Sequence, residues 1–490
     1  MTGTAVKVGN GGGGDGASSV TEGKLGLPDG WAIATIGELC DVNPRGFDEE
    51  PNDDDLISQV PMASVEAETG RMDPSALVRY GDFKKKSLTR FQESDVLFAK
   101  ITPCMENGKI VQAKELTGGR GLGSTEFHVL RSRGGLLPEY LTHYLLQRSV
   151  RKAAEPHMSG AVGQRRVPRL YLEGLQIPVP PLAEQRRIVA RLDEQLAHVE
   201  TGESSLKRAA NKLTELINQI RSREVRTSPD KELPPGWRWG TVGDVLQRIE
   251  AGKSFTCLPR SAHEDEWGII KVSAMTWGEF RAEENKAVPE GREVNPDFEI
   301  CSGDILLSRA NTVEYVGAPV LVGPVRGKLL LSDKSLRLVP KDRVSREWLL
   351  EVLSSRYVRD QYSDAATGTS DSMRNISQGV VKSARIPVPG SYDEQQRIAS
   401  VIRDRIAQVG VLRDALDSQA AEVINLRTAL LHAAFTGTLV AQDPTDEPAS
   451  ALLDRIRAQR SAATGTKSAR RRTPRTSKST GDPGQGELPL

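Results

Sequence analysis

The sequence of 490 residues has little of what zinc-binding, secreted or membrane-spanning proteins need. It contains four cysteines, Cys40, Cys104, Cys257 and Cys301, which are widely scattered and form no CxxC pair. No histidine stands near them at ligand spacing, so a zinc site is not expected and the thiols are expected to be free in a reducing compartment. No apolar run reaches the ~18 residues of a transmembrane helix, and the N-terminus lacks the apolar core of a signal peptide. The sequence therefore predicts a soluble cytoplasmic protein.

An excess of charge of one sign is also missing, since 66 basic residues stand against 65 acidic ones. The total charge therefore does not indicate a nucleic-acid ligand, and only local basic clusters can do so. The length is sufficient for about three domains.

The motifs of common enzyme classes are absent as well. A Gly-Lys-Ser at residues 252–254 resembles the end of a phosphate-binding loop, but Gln247 stands where that loop requires glycine. A GxGxxG at residues 9–14 has no helix after it, and the Gly-rich, polar residues 1–26 are predicted to be disordered. There is no GxSxG and no HExxH. No catalytic residue and no metal ligand is predicted, and a binding function is favoured.

The most regular feature of the chain is a pair of apolar ladders with a spacing of seven residues. A heptad ladder predicts a long helix that packs against another helix. The second ladder follows the first after 210 residues, and the residues before each ladder repeat as well. Two helices of about 40 residues, or ~60 Å each, are therefore predicted to pair within the chain, and two unrelated amphipathic helices are the alternative. The ladder residues are Leu192, Val199, Leu206, Leu213 and Ile220, and Ile402, Val409, Leu416, Val423 and Leu430.

The repeat extends beyond the ladders to two complete halves. The halves open with LPDGW at residues 27–31 and LPPGW at residues 233–237, and they close with IPVP at residues 177–180 and 386–389. Between these motifs, short alternating apolar runs separated by turns predict strands, and a helix and a small polar loop follow in each half. Two similar modules on a rigid spacer can read two patches of one long ligand. DNA is such a ligand, because its successive major grooves recur about every 34–36 Å.

Residues near the long helices suggest where helices begin and end. Ser391 and Glu394 fit a capping box, Pro181 can occupy the first turn of the first long helix, and Gly437 is a plausible terminator of the second. Beyond it, residues 451–456 could form one short amphipathic helix. Residues 467–478 carry six basic residues and no acid, which favours a solvated disordered arm, with a phosphate-binding arm as the alternative.

Polar and basic residues at predicted strand ends and loops are the candidates for DNA contact. Arg and Lys suit guanine edges and phosphates, whereas Asn and Gln suit adenine. For each residue a solvated surface role is the alternative. In the first half the candidates are Lys84, Lys85, Lys86, Arg90, Lys100, Thr102, Asn107, Lys109, Ser124, Thr125, Gln164, Arg165 and Arg166. In the second half they are Arg309, Asn311, Thr312, Ser332, Lys334, Thr369, Ser370, Arg374 and Asn375.

These motifs together resemble the specificity (S) subunit of type I restriction–modification systems. The resemblance covers residues 27–440 and rests on the paired LPxGW openings, the paired IPVP exits and four further segments. Two departures are the SLRL at residues 335–338, where the first half has FHVL, and the basic tail, which is no hallmark of the family. The further segments are STEFHVLR (124–131), PLAEQRRIV (181–189), DEQQRIASVI (393–402) and LLHAAFTGTLV (430–440).

The resemblance implies an α+β fold with two pseudo-repeated α/β target recognition domains, separated by two long antiparallel coiled-coil helices, and with disordered tails. The expected segments are a disordered 1–26, target recognition domain 1 at 27–180, spacer helix 1 at 181–226, target recognition domain 2 at 227–390, spacer helix 2 at 391–440 and a mostly disordered basic tail at 441–490.

The resemblance also implies partners and a division of labour. The expected partners are double-stranded DNA, two methyltransferase subunits on the outer faces of the helices and, through them, restriction and translocase subunits. No membrane partner is expected. The chain itself is expected to be non-catalytic and to bind no cofactor, with S-adenosylmethionine, ATP and Mg on the partner subunits. The alternatives are an inert coiled-coil protein-binding scaffold and the specificity subunit of a fused endonuclease–methyltransferase system. Candidate docking residues are Arg186, Arg187, Arg191, Arg403 and Arg405.

Overall fold

A computed structural model describes residues 26–161, 163–227, 232–276, 278–370 and 373–470. The chain forms two compact units, of which the first comprises the residues up to Thr201 and those from Val423 onward, and the second comprises Gly202–Glu422. Both units mix helices with short strands, as the predicted α+β class requires. The Gly-rich residues 1–25 and the part of the basic tail after residue 470 lie outside the described residues.

The first unit carries three sheets and a set of short helices around one end of a long helix. Its sheets have the strand orders β1-β10, β2-β9-β6-β7 and β4-β3-β8-β5. In chain order the elements are β1 (Ala32–Thr35), α1 (Ile36–Leu39), β2 (Cys40–Val42), β3 (Leu56–Val60), β4 (Leu77–Arg79), α2 (Tyr80–Phe83), β5 (Thr89–Gln92), β6 (Val96–Ala99), β7 (Ile110–Gln112), β8 (Arg120–Gly123), β9 (Phe127–Ser132), α3 (Pro138–Leu146), α4 (Arg148–Ala154), α5 (Arg169–Gly174), β10 (Gln176–Val179) and the long helix α6 (Leu182–Glu224).

The second unit repeats this arrangement with one more small sheet. Its sheets have the strand orders β11-β22, β12-β19-β15-β17, β14-β13-β18 and β16-β21-β20. The elements are β11 (Arg238–Thr241), α7 (Val242–Val245), β12 (Leu246–Ala251), β13 (Gly268–Ile270), β14 (Asn285–Ala287), β15 (Ile305–Ser308), β16 (Ala310–Asn311), β17 (Pro319–Leu321), β18 (Leu329–Leu330), β19 (Ser335–Pro340), α8 (Arg346–Ser354), α9 (Arg356–Asp364), β20 (Thr367–Ser370), β21 (Met373–Asn375), α10 (Gln378–Ser383), β22 (Arg385–Val388) and the long helix α11 (Tyr392–Phe435). The last helix, α12 (Ala449–Arg470), belongs to the first unit.

The opening and closing motifs of each half are partners in one two-stranded sheet. The strand after the first LPxGW pairs antiparallel with the first IPVP strand, with Ala34 opposite Ile177. The second pair has the same arrangement, with Gly240 opposite Ile386. A proline is tolerated in such a strand because a two-stranded sheet has only edge strands. The motif pairs that mark the repeat therefore close each unit just before its long helix.

The central four-stranded sheets of the two units share one register. In the first unit β6 is fully buried between β7 and β9, and Phe98 lies opposite His128. In the second unit β15 is fully buried between β17 and β19, and Leu307 lies opposite Leu336. Continuous apolar burial explains why these strands lack polar alternation. The matched register makes residues of the two units comparable position by position.

The two long helices run antiparallel where they pack together. In the first unit the start of α6, at Ile188 and Leu192, shares a core with Ala434 and Phe435 at the end of α11. In the second unit Val225, just after α6, shares a core with residues from the start of α11 such as Ile402. None of the ten ladder residues is exposed. The most buried of them are Leu192, Val199, Ile402 and Val409, at 6% exposure or less.

The ends of the long helices follow the predicted local chemistry in most details. The Ser391 hydroxyl accepts from the backbone N–H of Glu394 at 3.2 Å, but the Glu394 carboxylate pairs with Arg397 instead of reaching back to the cap. Gly437 follows α11 with φ of 74°, a conformation that favours glycine. A side chain at this position would also overlap Pro28. Pro181 precedes the first residue of α6.

Residues 441–470 contain more structure than the single short helix expected from the sequence. The helix α12 has 22 residues, and its Ala449, Leu453 and Ile456 are buried in the core of the first unit. The backbone N–H of Ala449 donates to Gly30 at 2.8 Å. Apolar residues at positions 449, 453 and 456 recur at helical spacing, so one face of α12 packs on the unit.

Candidate nucleic-acid interface

In the first unit, the residues that follow strand β6 are hydrogen-bonded to a hairpin of residues 159–166, which we call the return hairpin. The strand exit and the return hairpin together are called the frame. The backbone N–H of Lys100 donates to Glu126 at 2.9 Å, and the N–H of Val167 donates to the carbonyl of Lys100 at 2.9 Å. The N–H of Thr102 donates to Arg165 at 2.9 Å. Candidates that are distant in sequence therefore lie on two adjacent, hydrogen-bonded segments.

The second unit builds the same frame with different side chains. Its return hairpin comprises residues 367–375. The backbone N–H of Arg309 donates to Lys334 at 2.9 Å, and the N–H of Ile376 donates to Arg309 at 3.0 Å. Asn311 lies opposite Arg374, as Thr102 does opposite Arg165 in the first unit. Arg374 and Arg165 are therefore equivalent in the two units.

A surface cleft of about 300 Å³ adjoins this frame in the first unit. Three of the candidates line it, namely Arg90, Lys100 and Thr125. The Lys100 ammonium donates to the carbonyl of Thr125 at 2.7 Å, which holds this lysine at the rim. Two cations and a hydroxyl group on a concave surface suit a phosphate or a base edge.

Ion pairs hold two further candidates in place. The Arg166 guanidinium makes a bidentate contact with Glu126, at 2.9 and 2.8 Å. This hydrogen-bonded pair lowers the pKa of Glu126. A guanidinium held by a carboxylate is positioned but is partly neutralised, so Arg166 presents less free charge than an unpaired arginine would. Its neighbours Gln164 and Arg165 are exposed and half-buried.

The lysine-rich stretch before β5 lies next to carboxylates. The Lys84 ammonium is 2.7 Å from the Asp53 carboxylate. The backbone carbonyl of Lys84 accepts a hydrogen bond from the Arg90 guanidinium at 2.7 Å. Arg90 also lies 3.6 Å from Glu50. These pairs weaken the case for a phosphate-binding patch at Lys84. The exposed members of the stretch are Lys85 and Lys86.

Several other candidates serve the fold of their own unit. Asn311 and Ser332 are buried, at 9% and 4% exposure, and both bond to serines of the same unit. Their burial argues against base contact. The Lys109 ammonium donates to the carbonyl of Met62 at 2.8 Å, and the Thr102 hydroxyl donates to Glu106.

The remaining candidates fall into two groups, those with a local hydrogen bond or a place on a strand and those at exposed or half-buried positions. Ser124 accepts from the backbone of Glu126, and Thr369 and Ser370 lie on β20. Exposed or half-buried positions are held by Asn107, Thr312, Lys334, Arg374 and Asn375.

Residues that the sequence analysis did not select also belong to this interface. Asn43 lines the cleft, and the buried His128 is hydrogen-bonded to Asn43. In the second unit Met373, at the start of β21, is 46% exposed, and Val313 is 39% exposed. The sequence indicated His128 only through the STEFHVLR segment. Asn43, Met373 and Val313 can be found only from the tertiary structure, which places the hairpins beside the strand exits.

Two other kinds of site, a membrane span and a metal centre, are absent from the described part of the chain. Its helices include none that is both long and apolar enough to cross a membrane. Its His, Cys, Asp and Glu side chains form no group of three or more that could hold a metal ion.

Each unit contains the same frame of strand exit and return hairpin, and each contains part of both long helices. The sequence pattern of the type I restriction modification DNA specificity domain matches residues 28–207. The chain is 29% identical to the specificity subunit of the type I restriction enzyme EcoEI of Escherichia coli, across 84% of this chain and 83% of that one. It is 24% identical to the EcoKI specificity subunit of Escherichia coli strain K12, across 91% and 99%.

A solved structure shares the fold. It comes from a study of complex assembly and conformational transition of the type I R-M system, with a TM-score of 0.62, 24% identity and coverage of 84% of this chain and 99% of that chain. The chain is therefore similar to type I restriction–modification specificity subunits over most of its length, and the predicted resemblance and fold class are confirmed.

Proposed function

We propose that this specificity subunit reads an asymmetric DNA target in two parts, one with each unit. The observation that carries the proposal is the common frame of strand exit and return hairpin in both units, filled with different side chains. The same frame presents each unit's polar residues in the same way, so each reads a short stretch of base edges. The different side chains make the two half-sites different.

The proposal assigns chemistry to partner subunits and not to this chain. The subunit is non-catalytic, and two methyltransferase subunits dock on the long helices and carry S-adenosylmethionine. Restriction and translocase subunits, with ATP and Mg, join through them in the cytoplasm. Support comes from a pair of exposed leucines at equivalent ladder-adjacent positions, Leu216 in the second unit and Leu426 in the first, at 41% and 51% exposure. Exposed apolar side chains on a helix suit a protein interface.

The test is methylome sequencing of the host with the gene intact, deleted and restored. The intact gene should give a split, asymmetric N6-methyladenine motif that disappears on deletion and returns on restoration. A split motif that survives deletion would refute the proposal. Absence of any such motif in the wild type, with partners that bind the subunit, would favour the protein-binding scaffold. The organisation of the neighbouring genes separates a fused endonuclease–methyltransferase partner from separate subunits.

Two matched variants of the restored gene assign the half-sites. Arg165→Ala should relax one half-site and Arg374→Ala the other, because these arginines occupy equivalent positions in the two frames. A bidentate arginine–base contact is worth about 1–3 kcal/mol, which corresponds to a loss of discrimination of roughly 5–150-fold. Each variant is the control for the other. Relaxation of both half-sites by either variant would show that the hairpins do not read independently.

A further inference from the structure

His128 is a buried polar side chain directly beneath the interface of the first unit. It lies on β9 with 5% exposure. Its Nε2 is 2.9 Å from the carbonyl oxygen of Val167, and its Nδ1 is 3.0 Å from the amide nitrogen of Asn43. Because a carbonyl only accepts, Nε2 carries the proton and Nδ1 accepts from the Asn43 amide.

The Asn43 amide has only one orientation that fits its surroundings. Its Oδ1 accepts from the backbone N–H of Val129 at 3.0 Å, which leaves the amide nitrogen to donate to the histidine. Burial lowers the pKa of His128, so the neutral ring is the form that the site favours. The hydrogen bond to the Val167 carbonyl and the charge of Glu126 act in the opposite direction and raise the pKa, whereas the positive charges of Lys100 and Arg169 lower it further. One neutral tautomer therefore satisfies every group in the cluster.

This cluster connects the end of the return hairpin to the loop that borders the cleft. Val167 directly follows the return hairpin, and its N–H donates to the carbonyl of Lys100. Asn43 begins the loop of residues 43–46, which lines the cleft together with Lys100 and Thr125. A single imidazole thus bonds to the residue that ends the hairpin on one side and to a residue that lines the cleft on the other.

The second unit shows that the fold does not require a histidine at this position. Leu336 lies opposite Leu307 on β15 in the register that His128 has opposite Phe98 on β6. Leu336 is fully buried in the core of the second unit. An apolar side chain therefore satisfies the packing, and the polar cluster needs another explanation.

We propose that His128 is a positioning residue for DNA reading by the first unit, where its two hydrogen bonds fix the return hairpin relative to the loop of residues 43–46. The inference rests on the proposed function, since it assumes that the first unit reads one half-site. The histidine itself does not touch DNA. Its effect is to hold two segments, the hairpin that carries Arg165 and the loop of residues 43–46, in fixed positions beside Lys100 and Thr125.

The test uses the full complex with its methyltransferase partners and DNA duplexes varied in one half-site at a time. His128→Leu, the residue that the second unit uses, should lower discrimination at the half-site read by the first unit by tenfold or more. Discrimination at the other half-site should change by less than twofold. Asn43→Ala should give a loss in the same half-site, because it removes the opposite bond of the ring.

Conservative variants separate positioning from packing. His128→Gln places an amide N–H near the position of Nε2 and should recover most of the discrimination, since it can donate to Val167. Unchanged discrimination in His128→Leu would overturn the inference, as would equal losses at both half-sites. A wild-type complex without a two-part target would instead refute the proposed function, so the two failures are distinguishable.

Discussion

Buried charge in both units is held by arginines from the central sheets. Asp95 is 1% exposed and receives two hydrogen bonds of 2.8 Å from Arg131. In the second unit Arg337 is 3.0 Å from Asp304 and also pairs with Glu250. Removal of one member of a buried pair leaves the other charge unsatisfied, which costs more than the pair itself contributes. Asp95 and Asp304 lie in the turns before β6 and β15, so they fix the strands that end at the interface.

Arg131 has one buried and one exposed acidic partner, so the cost of losing a buried partner can be measured against that of losing an exposed one. Asp95→Ala should destabilise the first unit by about 3–5 kcal/mol, because the arginine loses its buried partner. Asp48→Ala should cost about 0–1 kcal/mol, because Asp48 contacts the same arginine at 2.9 Å but is 73% exposed. Hydrogen exchange in peptides of the first unit measures both. Equal costs for the two variants would mean that burial does not set the strength of this pair.

At the scale of elements, the helix α12 is a part of the first unit and not an appendage. Ile456 packs on Gly135, where a Cβ atom would overlap its side chain. Around this contact Arg187 pairs with Asp446 at 2.7 Å, and Arg457 pairs with Glu38 at 3.2 Å. Glycine at position 135 therefore has a steric reason, since only a residue without a side chain leaves room for the helix.

A double-mutant cycle tests the docking of α12. Gly135→Ala should destabilise the first unit by about 1–3 kcal/mol through overlap with Ile456. In an Ile456→Ala background the same change should cost less than about 0.5 kcal/mol, because the overlapping atoms are gone. Hydrogen exchange and limited proteolysis after Val440 report the docking. A cost that is the same in both backgrounds would refute the contact.

At the scale of the whole molecule, the exposed leucines of the helices are the expected docking points of two identical partners. A pair of equivalent positions predicts two equivalent sites, as internal repeats present the same surface twice. Leu216→Glu and Leu426→Glu should each reduce the stoichiometry from two methyltransferase subunits to one, and the double variant should bind none. Each charge would be buried without a partner in the interface. Ser204→Glu, on an exposed position of α6, is the control.

Native mass spectrometry of the assembled complex measures the stoichiometry directly. Retention of two partners by the double variant would place the docking surface elsewhere. Among the arginines considered for docking, Arg187 pairs with Asp446, Arg191 with Glu194 and Arg405 with Glu224, so three of the five already have acidic neighbours. The apolar positions are therefore the sharper test.

The sequence by itself determined the duplication, the long paired helices and the resemblance to type I specificity subunits. These features are written in periodic or repeated motifs, because apolar spacing along a helix and turn chemistry at strand ends act over a few residues. The heptad ladders and the LPxGW and IPVP pairs were sufficient for the architecture. The Ser391 cap and the Gly437 terminator were readable for the same reason.

Only the tertiary structure decided which polar residues face solvent and which serve the fold. Asn311 and Ser332 look like surface candidates in sequence but are buried, and Lys84 lies beside an aspartate 31 positions earlier in the chain. The contact of Ile456 with Gly135 and the bonds of His128 with Asn43 and Val167 likewise join distant segments. Burial and pairing depend on contacts between residues far apart in the chain, and no local pattern carries that information.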